Sequence, residues 1–287
     1  MPITAREVIQ RIQENIGSPW IHGTDICEAG NPDTPLTGVA TSFTATFDVL
    51  RRAVRSGHNL LITRERPFWS HENAAMEHSG GSVGPLRLEL SKDSLFQKKS
   101  DFINRNSLVV WRFQENWDAR SVDGQLQGLA RALGWDSHYK PDSGATAWSQ
   151  GNNVFTPPPA TLLEAVQEMK RKLKCSAPRV IGDPSLRVTR AVLLPGFLLV
   201  PRLAAALRDQ SVDLIVCGEP VEWEAAPYFM DIIAPGRKIG MITLGNEVSE
   251  EPGSGEAAAW LKTFIKEVPV EWVPASEPFH EWKVETV

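Results

Sequence analysis

The chain has 287 residues, 42% of them apolar and 23% charged, the balance of a folded globular protein and not of a disordered or fibrous one. Its 35 acidic and 30 basic residues give a net charge of -5, and the one short basic block is Lys170–Lys174, which argues against nucleic acid as a partner. Pro195, Gly196, Pro201 and Arg202 break up the longest apolar stretches, so no run nears the roughly 18 residues that a membrane span needs.

Read in chain order, the opening stretch carries Arg6, Glu7, Arg11 and Glu14. It predicts an amphipathic helix near Ala5–Ile16 and no export address, with the cytoplasm as the expected location. Next come a strand at Thr37–Thr41, a helix at Thr44–Ser56 closed by Gly57, and a strand at Asn59–Thr63. A polar segment ends at Asn106, before the buried strand Ser107–Phe113 and the helix Asp123–Leu133, closed by Gly134. Lys140–Pro159 has turn chemistry throughout and ends in three prolines. Beyond it follow helix Thr161–Leu173, strands Arg179–Ile181 and Val188–Leu193, helix Leu199–Arg208 and strand Asp213–Cys217. The chain then reads as helix Val221–Ile233, strand Lys238–Leu244, helix Gly255–Ile265 and strand Val270–Val273. Strands alternating with helices predict an α/β fold. We expect two α/β lobes around a central cleft without an inserted middle domain: an N-terminal lobe at 1–140, a connection at 141–159 and a C-terminal lobe at 160–287. Cys27, Cys175 and Cys217 are three, far apart and never in a C-x-x-C pair, so buried free thiols are expected.

In open α/β sheets ligands bind beyond the carboxyl ends of the strands. Four such ends carry acidic residues: Arg64-Glu65-Arg66-Pro67-Phe68-Trp69-Ser70-His71, Gln114-Glu115-Asn116-Trp117-Asp118, Gly218-Glu219-Pro220-Val221-Glu222 and Gly245-Asn246-Glu247-Val248-Ser249-Glu250. Carboxylates gathered at one end of a sheet suit divalent cations or acid/base chemistry. The same residues also serve as helix caps, as Glu222 or Glu250 would through the helix dipole.

Four segments taken together and in order resemble the Nif-three-like proteins, also described as type 2 GTP cyclohydrolase-like dinuclear-metal proteins: Thr37–Thr63, Asn106–Gly124, Val180–Gly196 and Asp213–Gly253. The resemblance runs nearly end to end. It implies two α/β lobes facing a cleft, a pair of divalent metals held by His and carboxylate side chains, and a ring-shaped hexamer. Carried over residue by residue, the family's first ligand His falls on Arg64 and its next ligand position on Glu65. The second motif's His falls on Gln114 and its acidic position on Asp118. The last motif's His falls on Asn246, with its Glu present as Glu250. Carboxylates stay and imidazoles go.

Losing imidazole ligands costs metal affinity at least as much as losing their supporting partners, which is about 10- to 100-fold. A permanent guanidinium at Arg64 would also repel a metal. The expectation is that Arg64 replaces the metal and pairs with Glu250 or Asp118. The competing reading turns Arg64 to solvent and keeps one Mn, Fe, Mg or Zn ion weakly on Glu65, Asp118, Asn246 and Glu250. His71 is placed near the cleft by the resemblance. Two functions follow: a metal-free, homo-oligomeric pseudoenzyme that binds a small polar or nucleotide-like ligand, or a divalent-metal-dependent hydrolase with Glu219 or Glu222 as general base. Trp69, Trp111, Trp117, Trp223 and Trp282 read as packing residues before base-stacking platforms, and Gly182-Asp183-Pro184 reads as a turn.

Overall fold

A computed structural model describes residues 2–69, 89–120, 122–139 and 153–280. Among them, in chain order, the first elements are α1 (Ala5–Asn15), β1 (Cys27–Ala29), β2 (Val39–Ser42), α2 (Phe47–Arg55), β3 (Leu60–Thr63), α3 (Ser94–Arg105), β4 (Val109–Arg112), α4 (Glu115–Asp118) and α5 (Gly124–Leu133). They continue with β5 (Val154–Phe155), β6 (Ala160–Thr161), α6 (Leu162–Leu173), β7 (Arg179–Ile181), β8 (Arg187–Val188), β9 (Ala191–Leu198) and α7 (Val200–Ala206). Last come β10 (Leu214–Pro220), α8 (Glu222–Ile233), β11 (Gly240–Thr243), α9 (Asn246–Leu261) and β12 (Val270–Trp272). Among the described residues, no helix is long and apolar enough to cross a membrane.

These elements form two compact units, one of residues 1–124 with 254–275, the other of 125–253 with 276–287. The division differs from the single break at 141–159 expected from turn chemistry, and 140–152 lie outside the described residues. The reason is visible in β12: the chain returns to the first unit to complete its sheet.

The first unit is a five-stranded sheet in the order β1-β4-β3-β2-β12. The four strands from β4 to β12 are parallel and β1 is antiparallel at the edge. Strands β2, β3 and β4 are buried at every position, as strands covered on both faces must be. One face packs on α1, where Ala5, Val8 and Ile12 form the inward stripe, together with Ala257, Ala258 and Leu261 of α9. The other face packs on Val49, Leu50 and Ala53 of α2 and Ile103 of α3. Helix α2 starts at the Thr46 cap and ends before Gly57, whose φ of 77° is the left-handed turn that glycine adopts without strain.

The second unit repeats the plan. Its sheet runs β5-β9-β10-β11-β7, parallel at its three central strands and antiparallel at both edges. Cys175 and Cys217 are buried free thiols as expected, whereas Cys27 is exposed, because β1 is a three-residue edge strand that buries none of its positions. Gly182-Asp183-Pro184 is a turn, with Asp183 accepting from the Ser185 amide at 2.8 Å.

Candidate functional site

Parallel pairing of β3 with β4 sets Thr63 opposite Arg112. The residues that follow the two strands therefore leave the same end of the first unit's sheet. Arg64 is only 8% exposed. Its two terminal nitrogens donate to the two oxygens of Asp118 at 2.8 and 3.0 Å, a fork-on-carboxylate pair. Asp118, one of the two carboxylates offered to Arg64 by the sequence, takes this fork. The solvent-facing Arg64 of the competing reading is not what the structure contains. Arg66 is buried as well and meets the buried Glu28 at 3.2 Å.

Asp118 is held by a small polar scaffold. Asp25 accepts from the backbone amides of Gln114, Glu115 and Asn116 at 2.7, 3.2 and 3.1 Å, and from the Asn116 side chain at 2.7 Å. This pins the start of α4. Burial raises the Asp25 carboxyl to about 6, against the pull of those donors. Arg112 grips Glu115 through two nitrogens at 2.6 and 2.8 Å and donates to the side-chain oxygen of Gln114. Gln114 is thus a neighbour of the β4 arginine. Glu65 lies beside the group: its backbone amide donates to Phe43 at 2.8 Å, and its charge acts on Arg112.

Asn246 and Glu250 belong to the second unit, on α9. Glu250 is 3% exposed and rests on the bare backbone of Gly196, where a Cβ would fall 2.3 Å from a Glu250 oxygen. Between them Ser249 accepts from the Gly196 amide at 3.0 Å and donates to the Asn246 carbonyl at 2.8 Å. The Asn246 side-chain oxygen is buried with no hydrogen bond among the described residues. Glu219 is exposed on β10. Glu222 is exposed in the first turn of α8 and is bound to Arg179 at 2.7 Å. His71 and Trp282 lie outside the described residues. Trp111 and Trp117 are core residues, while Trp69 and Trp223 are exposed and pack no core.

Three groups that carry no expected role stand out chemically. Lys99 is 2% exposed, and burial brings its ammonium down to about 8. Glu247 is raised to about 7, first by burial and then by the charge of Glu277. Arg120 sits on Trp117 and Trp260. The partners of Lys99 and Glu247, and Trp260 beside Arg120, come from distant parts of the chain, so no local motif marks these groups.

The metal pair implied by the resemblance can be tested against these donors. Both Asp118 oxygens are taken by the Arg64 guanidinium, at the position where the resemblance implies the first ligand His. Among the described residues no group of three or more His, Cys, Asp or Glu side chains converges as a metal site. The described residues do not fit a dinuclear metal centre.

Fold and site together define a two-unit α/β protein of the Nif-three-like fold with an arginine–aspartate pair at the end of its first sheet. Among solved structures, the chain resembles Staphylococcus aureus protein SA1388, with a TM-score of 0.70 and 14% identity over 98% of this chain and 100% of that one. It resembles the protein ybgI, of unknown function, with a TM-score of 0.68 and 18% identity over 96% and 100%. It also resembles a Bacillus cereus protein related to NIF3, with a TM-score of 0.65 and 12% identity over 100% and 99%. No family model and no curated protein matches the sequence.

Proposed function

We propose that the chain is a divergent Nif-three-like protein in which the Arg64–Asp118 ion pair stands in the place of a metal, making it a cytoplasmic, self-associating protein that binds a small polar ligand. One observation carries this reading: the bidentate, largely buried fork of Arg64 on Asp118. A fixed cation there neutralises the carboxylate that a metal would use. It also imposes a repulsion of about 4 kcal/mol on a unit positive charge 4 Å away at an effective dielectric near 20, and more on a divalent one.

The test is elemental analysis of protein purified without chelator and challenged with Mn, Fe, Co, Mg and Zn, beside an Arg64→His variant. The wild type is expected to retain no stoichiometric metal, and the variant to gain at least about tenfold in affinity. Near-stoichiometric metal on the wild type overturns the reading and favours a metal-dependent hydrolase.

A further inference from the structure

We infer that Arg120 is a receptor for an oxyanion, the carboxylate or phosphate group of a ligand, presented by the first unit on a platform of two tryptophans. The inference deepens the ligand-binding part of the reading above and rests on it, while its measurement does not depend on metal content.

Four arginines lie at or beyond the ends of β3 and β4. Three have carboxylates: Arg64 has Asp118, Arg66 has Glu28, and Arg112 has Glu115. Arg120 is the exception. Its guanidinium carbon lies 4.4 Å from the Trp117 ring centroid and 4.9 Å from that of Trp260. The two rings are themselves 5.3 Å apart and inclined at 50°, so the cation rests in the V between them. Among the described residues its nitrogens have no hydrogen-bond acceptor and no ion-pair partner. Glu256 acts on it through its field alone.

A half-buried guanidinium stays charged, and burial without an anion is costly; here it pulls the Arg120 pKa down from its usual value. The ring contacts recover part of that cost. They use the charge of the guanidinium and leave its N–H donors unspent, and these donors match a planar or tetrahedral oxyanion. The platform is fixed in place. Trp117 is fully buried against Gly124, where a Cβ would fall 2.0 Å from the indole, and Trp260 packs on Phe113 and Phe264. A cation preset in this way binds without paying to order a long side chain. The two tryptophans also supply the readout.

The experiment titrates chelator-treated full-length protein with sodium phosphate and, separately, sodium acetate, at ionic strength held constant with chloride, following tryptophan fluorescence. Metal content is measured on the same sample. The wild type is expected to give a saturable change with phosphate, acetate or both, and whichever acts names the anion. Arg120→Met, which keeps the packing and loses the charge, is expected to weaken it at least about tenfold; Arg120→Lys keeps the charge without the fork and is expected to fall between. A wild type with no saturable response to either anion overturns the inference, as does an Arg120→Met response equal to the wild type's. Should Arg120→Met fail to fold, a wild type whose melting temperature is unmoved by both anions overturns it equally.

Discussion

Lys99 is the clearest case of a residue whose surroundings set its chemistry. It lies in the middle of α3 with its ammonium donating to the Pro67 carbonyl and 4.7 Å from the Trp69 ring centroid. Neither contact replaces the water that a free ammonium holds, so burial lowers its pKa from 10.5 to about 8. The sign of the linkage follows. Below pH 8 both folded and unfolded chains carry the proton, and the folded state bears the full burial cost. Between about 8 and 10.5 the folded chain binds fewer protons than the unfolded one, so stability rises with pH, by about 3 kcal/mol in all. Cys175 and Cys217, both raised from 9.0 to about 11 by burial, act oppositely over the upper part of that range. The comparison to make is therefore wild type against Lys99→Met in urea unfolding from pH 7 to 11. The rise is expected in the wild type and its loss in the variant; parallel profiles would place the Lys99 pKa at its ordinary value.

Among the elements, α9 shows how a breaker signal and a packing requirement are written with the same residues. The sequence predicts a helix over Gly255–Ile265, after the breakers Pro252 and Gly253; the helix instead runs unbroken from Asn246 to Leu261, with Pro252 inside it. Gly253 is needed for close approach. A Cβ there would fall 1.8 Å from the Gln125 side-chain oxygen, and one on Gly128 of α5 would fall 2.5 Å from the Gly253 nitrogen. Glycine to alanine inside a helix ordinarily gains about 1 kcal/mol. At Gly128 and Gly253 the sign is expected to reverse, with a loss of about 1–3 kcal/mol from overpacking. Gly57 is the control, since a Cβ there meets nothing within 4 Å and only its φ of 77° is strained, for about 1–2 kcal/mol. Thermal unfolding of the three alanine variants checks the order; a stabilised Gly253→Ala would break the account. The central parallel strands were legible because burial on both faces writes them as unbroken apolar runs. Helix α3 was not, because Lys99 interrupts its buried stripe. The strand expected over Val188–Leu193 is instead β8 ending at Val188 and β9 running from Ala191 through Pro195 to Leu198, beside an irregularity in β10 between Cys217 and Glu219. At the candidate site, Arg64 and Asp118 could be paired on paper because they follow neighbouring strands. Arg120 could not, since Trp260 lies 140 residues further along the chain.

For the molecule as a whole, the consequence of the discontinuous first unit is that no single cut through the sequence yields it. Residues 1–124 contain four of the five strands, but Val270 to Trp272 complete the sheet beside Val39 to Thr41. Ala257, Ala258, Leu261, Ile265 and Val270 fill the core against α1, and the buried Thr41 hydroxyl donates to the Ser254 carbonyl at 2.7 Å. Burying a large aliphatic side chain contributes about 1.5–3 kcal/mol. Losing Leu261, Ile265 and Val270 alone therefore removes an amount comparable with the whole stability of an ordinary domain, about 5–15 kcal/mol. It would also leave β2 as an open hydrophobic edge. Residues 1–124 expressed alone are expected to aggregate or to lack near-ultraviolet circular dichroism and a cooperative transition. The same segment joined to 254–275 through a flexible Gly/Ser linker of about 10 residues is expected to regain both. Cooperative folding of 1–124 without the return segment would show that β12 and the second half of α9 decorate the first unit and do not build it.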